Sequence, residues 1–226
     1  MAETTLPREY NRFLAVTIAL NCLAILGAII AGLHKDPVSY YFREREIITF
    51  LSALQMGMAS LVSFLIFNLH YRRGNEKSKW FWLLCSFGFL WLMADEWFMI
   101  HEGIDDGLLA AFGLHPTGKH FLWDWLVIAA YGVGALYLCL RFHREIRRTS
   151  RRLALICSAA VFYVGTTFVD ALGGGAVHMI VEESLKLVSV NLFFLFFLTA
   201  FYESLRELTV PAPALPADRT QSTFGH

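Results

Sequence analysis

The chain has 226 residues, of which 56% are hydrophobic, 15% aromatic and only 17% charged, and its mean hydropathy is +0.50. So little charge cannot cover a soluble domain of this size. The 19 basic and 19 acidic side chains cancel, so no net field points to a nucleic-acid partner.

In chain order the sequence predicts an all-α integral membrane bundle of six transmembrane helices. A spanning helix needs about 20 mostly apolar residues to cross ~30 Å of hydrocarbon with every backbone group paired. Such runs extend from Tyr10 to Leu33, Ile47 to His70, Lys79 to His101, Phe121 to Phe142, Leu153 to Ala171 and Val177 to Leu205. The first reads as a retained anchor rather than a cleaved signal, because no small-residue cleavage pattern follows a short apolar stretch. All the prolines (Pro7, Pro37, Pro116, Pro211, Pro213 and Pro216) fall outside the runs, so the helices are expected to be unkinked. Cys22, Cys85, Cys139 and Cys157 lie inside the runs and read as packing residues. Residues 1–208 are expected to form one transmembrane domain. Residues 209–226, proline-rich among Ala and Thr, read as a disordered cytoplasmic tail.

Charge placement orients the bundle. The link after the second run carries Arg72, Arg73, Lys77 and Lys79, and the link after the fourth carries Arg141, Arg144, Arg147, Arg148, Arg151 and Arg152. The links after the third and fifth are nearly free of basic residues, so both termini are expected in the cytoplasm. Lys35, Arg43 and Arg45 in the first outer link run against this rule, though Asp36, Glu44 and Glu46 are interspersed.

On this topology the ionisable residues gather at one depth. The third run ends with Asp95, Glu96, His101, Glu102, Asp105 and Asp106; the fourth begins with His120 and Asp124; the fifth ends at Asp170; the sixth begins with His178, Glu182, Glu183 and Lys186. All lie in the outer half of the membrane, where burial of charge is costly and marks function. Pairs four residues apart share a helix face: His101 with Asp105, His120 with Asp124, His178 with Glu182. Asp95 and Glu102 also share a face, whereas the helical wheel turns Glu96 away. Imidazole and carboxylate from several helices are the donors of zinc, iron or manganese sites, with zinc favoured weakly. The expected ligands are His101, His120, Asp124, His178, Glu182, Asp170 and Glu183. Two other assignments stay open: Glu183 with Lys186 as a buried ion pair, and protonated or paired acids as a proton relay. Gly173, Gly174 and Gly175 predict a tight turn beside Asp170 and His178.

The stretch Asp95-Glu96-Trp97-Phe98-Met99-Ile100-His101-Glu102, with Glu182-Glu183 later, resembles a pattern in bacterial polytopic membrane proteins. That resemblance covers helices two to six and implies a bacterial inner membrane. A fainter similarity is to alkaline ceramidases, membrane zinc hydrolases with an Asp-Glu-containing third helix and a histidine pair four apart. Asp95-Glu96 matches the first element, and His178 and Glu182 stand where the His-x-x-x-His pair is expected.

These residues predict a metal-dependent, hydrolase-like enzyme acting on a membrane lipid or other lipid-soluble substrate in the outer leaflet. A metal-bound water would attack, Asp95 or Glu102 would serve as general base, and Lys186 would stabilise developing negative charge. A metal-ion or proton transporter, or an accessory subunit of a membrane complex with a structural metal, are the alternatives. Self-association is compatible with all three.

Overall fold

The computed structural model describes residues 8–35, 37–74, 76–100 and 121–209, with the side chains of residues 9, 76, 77, 121–128, 171 and 209 excepted. His101, Glu102, Asp105, Asp106, His115 and His120, and the proposed tail from residue 210, lie outside the described residues. The side chain of Asp124 does too.

The described chain is helical, without a strand. Its elements are α1 (Arg8–Gly32), a single 3-10 turn (Tyr40–Phe42), α2 (Ile47–Arg72), α3 (Glu76–Phe98), α4 (Phe121–Arg141), a short α5 (His143–Ile146), α6 (Ser150–Leu172) and α7 (Ala176–Thr209). Among the described residues five helices are long and apolar enough to cross a membrane: α1, α2, α3, α6 and α7. The remaining predicted span, the fourth in chain order, coincides with α4, whose fully described part, Ala129–Arg141, is a shorter apolar helix. The short α5 has no counterpart in the hydropathy, because four residues carry too little apolar signal.

The centre of the bundle is α7, which packs on α6, α2 and α1, while α3 packs on α2. At 34 residues it rises about 51 Å, more than the ~30 Å of hydrocarbon, so it links the two ends of the molecule. Lipid cannot drive helix association by apolar burial, and polar contacts tie the helices instead. Gln55 Nε2 donates to Asn21 Oδ1 (2.7 Å) between α2 and α1. The Ser60 hydroxyl donates to the Ser86 carbonyl (2.8 Å) between α2 and α3, and that of Ser189 to the Ala159 carbonyl (2.8 Å) between α7 and α6. Trp91 Nε1 donates to the Tyr131 hydroxyl (2.9 Å), fastening α4 to α3.

Aromatic side chains fill the core at the end where α2 and α7 finish: Phe81, Trp82, Phe194, Phe196 and Phe197 surround Ala59 and Ile66. Trp80, Phe87 and Trp91, on the same helix as Phe81 and Trp82, face outward. Cys85 and Cys139 pack against this cluster as expected, and all cysteines are free. At the same end Arg152 is fully buried. Its Nη2 lies 2.7 Å from Glu203 Oε2 and its guanidinium sits 5.8 Å from the Trp82 ring. Thr149, the N-cap of α6, accepts from the Arg152 backbone N–H (3.3 Å) and donates to Glu203 Oε1 (3.2 Å). At the opposite end Gly173 (φ +72°) and Gly175 (φ +155°) make the expected tight turn between α6 and α7, which returns α7 alongside α6.

Candidate functional site

At the end where α2 and α7 begin and α3 and α6 finish, a cavity of about 280 Å³ opens between the helices. Its lining comprises Glu44, Thr49, Met56, Leu92, Asp95, Glu96, Met99, Tyr131, Tyr163, Thr166, Thr167, Asp170, Glu182, Glu183 and Lys186. Six of these are carboxylic acids and one is a cation. The convergence follows from chain direction, since neighbouring antiparallel helices bring the end of one beside the start of the next.

Lys186 holds the centre of the charge network. Its Nζ lies 2.6 Å from Glu183 Oε1, one turn earlier on α7, and 2.9 Å from Glu96 Oε1 on α3. All three side chains are largely buried, with relative exposures of 19% for Lys186, 15% for Glu96 and 7% for Glu183. The second oxygen of Glu183 is buried and has no hydrogen-bond partner among the described residues. An unmatched carboxylate oxygen in such a site is a place for a water, a proton or a cation. Asp95 is also buried, and Asp170 is exposed at the rim.

The predicted residues separate clearly on this geometry. Asp95, Asp170, Glu182, Glu183 and Lys186 all face the cavity. His178 does not line it and occupies an exposed position at the start of α7. Glu96, turned away by the helical wheel, is corrected: it lines the cavity and binds Lys186. The reason is that the cavity is enclosed on several sides, so adjacent positions 100° apart both border it, and a glutamate is long enough to reach α7. Lys186 contacts Glu183, the ion pair that the spacing left open, and Glu96 as well. Among the described residues no three His, Cys, Asp or Glu side chains are grouped to hold a metal ion. His101, Glu102, His120 and Asp124 are outside what that statement covers.

Several lining residues escaped the sequence reading. Tyr131 stands seven residues after Asp124, two turns along the same helix, which is the signal that could have included it. Thr166 and Thr167 interrupt an apolar helix one turn before Asp170; both hydroxyls donate to the Tyr163 carbonyl, at 2.7 and 3.3 Å. Met99 has φ +54° and its N–H bonds the Asp95 carbonyl (2.8 Å), a left-handed cap that turns the chain at the cavity rim. No sequence signal marks a methionine for that role.

Comparison with curated proteins gives no match, and comparison with solved structures gives none either. A family model does match, that of a domain of unknown function, DUF8692, over residues 12–201. This range takes in α2 to α6, most of α1 and α7 and the whole cavity lining, and the chain belongs to the DUF8692 family.

Proposed function

We propose that this protein is a membrane-embedded metalloprotein whose acid-lined cavity binds a divalent cation and acts on a lipid or other membrane-soluble substrate. The observation that carries the reading is the convergence of six carboxylic acids and Lys186 on one cavity. Lys186 matches Glu96 and Glu183. Carboxylates brought together at one depth disfavour one another's charge, and a divalent cation beside Asp170 and Glu182 would offset that repulsion.

In this reading His101, His120 and Asp124 complete the donor set, with zinc preferred weakly to iron or manganese, and His178, exposed and outside the cavity lining, is no longer among the ligands. A bound cation would supply an activated water for hydrolysis, and Asp95 or Glu102 would be the base for its proton. Lys186 acts first as the counter-ion of Glu96 and Glu183. The same reading has six spans, with α4 as the fourth, both termini on the cytoplasmic side of a bacterial inner membrane, and the cavity toward the outer leaflet.

A second reading, a proton relay or ion transporter, is favoured by the direct carboxylate–lysine–carboxylate chain and by the lack of a metal-holding group among the described residues. Elemental analysis of the detergent-purified protein separates the two. The metalloprotein should carry stoichiometric divalent metal that is lost in His101→Ala and in Glu182→Gln and kept in His115→Ala. Metal-free wild type that takes up none on addition would leave the relay.

A further inference from the structure

At the end of the bundle away from the cavity two groups of arginines differ in their partners. Arg73 and Arg148 both pair with Glu207, and Arg152 pairs with Glu203, so α7 supplies the acids that neutralise them. Arg141, Arg144 and Arg147 occupy exposed positions and form no ion pair among the described residues. They follow one another every three residues along the end of α4, the short α5 and the turn after it.

This ledge is anchored rather than loose. Ile146 is 4% exposed and belongs to the aromatic core, and Phe142 packs on Phe81 with ring centroids 5.3 Å apart. The ring Nδ1 of His143 lies 3.1 Å from the Leu140 carbonyl, capping the end of α4. The Arg141 guanidinium sits 5.5 Å from the Phe142 ring. Immediately along α4 the outward side chains are apolar: Val133, Leu136, Tyr137 and Leu140 are each more than half exposed. A lipid-facing apolar band that ends in unmatched guanidinium groups places those groups at headgroup depth.

We infer that the ledge formed by Arg141, Arg144 and Arg147 is a binding site for the phosphate headgroups of anionic phospholipids. Guanidinium groups match phosphate oxygens in charge and in fork geometry, and basic residues beside a membrane surface attract anionic lipid additively. The apolar band beneath would hold the acyl chains of the same lipid, which a soluble anion lacks.

The test is native mass spectrometry of the full-length protein released from mixed micelles containing equal phosphatidylglycerol and phosphatidylcholine of identical chains. Wild type should retain phosphatidylglycerol preferentially, and less so as salt is raised. R141Q/R144Q/R147Q should lose that preference by roughly tenfold. K35Q/R43Q/R45Q, which removes three exposed basic residues at the opposite end, should keep it. If the triple variant does not fold, the exposed single changes R144Q and R147Q should each lower the preference. An unchanged preference in the ledge variants, or an equal loss in the opposite-end control, would overturn the assignment.

Discussion

Lys186 shows how much one residue can organise inside a helix bundle. Its Nζ reaches carboxylates on two helices, Glu183 on α7 and Glu96 on α3. Removing it leaves two buried acids without a cation, and breaking a buried pair from one side costs about 3–5 kcal/mol. Lys186→Met should therefore lower the melting temperature markedly in detergent, and the same change combined with Glu96→Gln and Glu183→Gln should recover most of the loss. Equal melting of the single and triple variants would mean that no such network exists. The Glu183 contact was legible from its spacing, since residues three apart on a helix meet. The Glu96 contact was not, because a wheel drawn on one helix ignores the neighbours that enclose the cavity.

Helix boundaries follow hydropathy closely because crossing lipid imposes length and apolarity together. The expected spans match α1, α2, α3, α6 and α7 within a few residues of their ends. What hydropathy omits is how the ends are joined. Arg152 reads in the sequence as one of several solvated link arginines, yet it is fully buried against Glu203; an arginine and a glutamate 51 positions apart give no periodic signal. Gly32 is similar. A Cβ there would stand 2.2 Å from the Val38 carbonyl oxygen, a backbone atom with no room to retreat, whereas a Cβ at Gly27 meets nothing within 4 Å. Gly32→Ala should destabilise the protein by about 1–3 kcal/mol through overpacking, and Gly27→Ala should not. Comparing the two in thermal melts checks the close approach of α1 to the link that follows it.

Across the whole molecule the two ends have opposite chemistry: acids and one lysine around a cavity, and arginines, of which Arg73, Arg148 and Arg152 pair with Glu203 and Glu207, over an aromatic core. The basic links predict that the arginine end faces the cytoplasm. With the native cysteines replaced, a cysteine at Gly174 should react with an impermeant reagent from outside intact cells, and one at Arg72 only after the inner face is opened; the reverse pattern would place the cavity inward. The convergence of acids on one depth was legible because chain direction alone decides it. The cavity's tyrosines and threonines were not, because these residues are as common in ordinary helix packing as in sites. The most direct test of a cation in the cavity is the melting temperature of metal-stripped protein with and without added zinc. A cation held only by the folded state stabilises it by linkage, by about 2.7 kcal/mol at a hundred times its dissociation constant. For a chain of this size that is a rise of roughly 5–10 °C. The account predicts such a rise in wild type and its loss in Glu182→Gln and Asp95→Asn; unchanged melting of wild type, or an equal rise in the cavity variants, would contradict it.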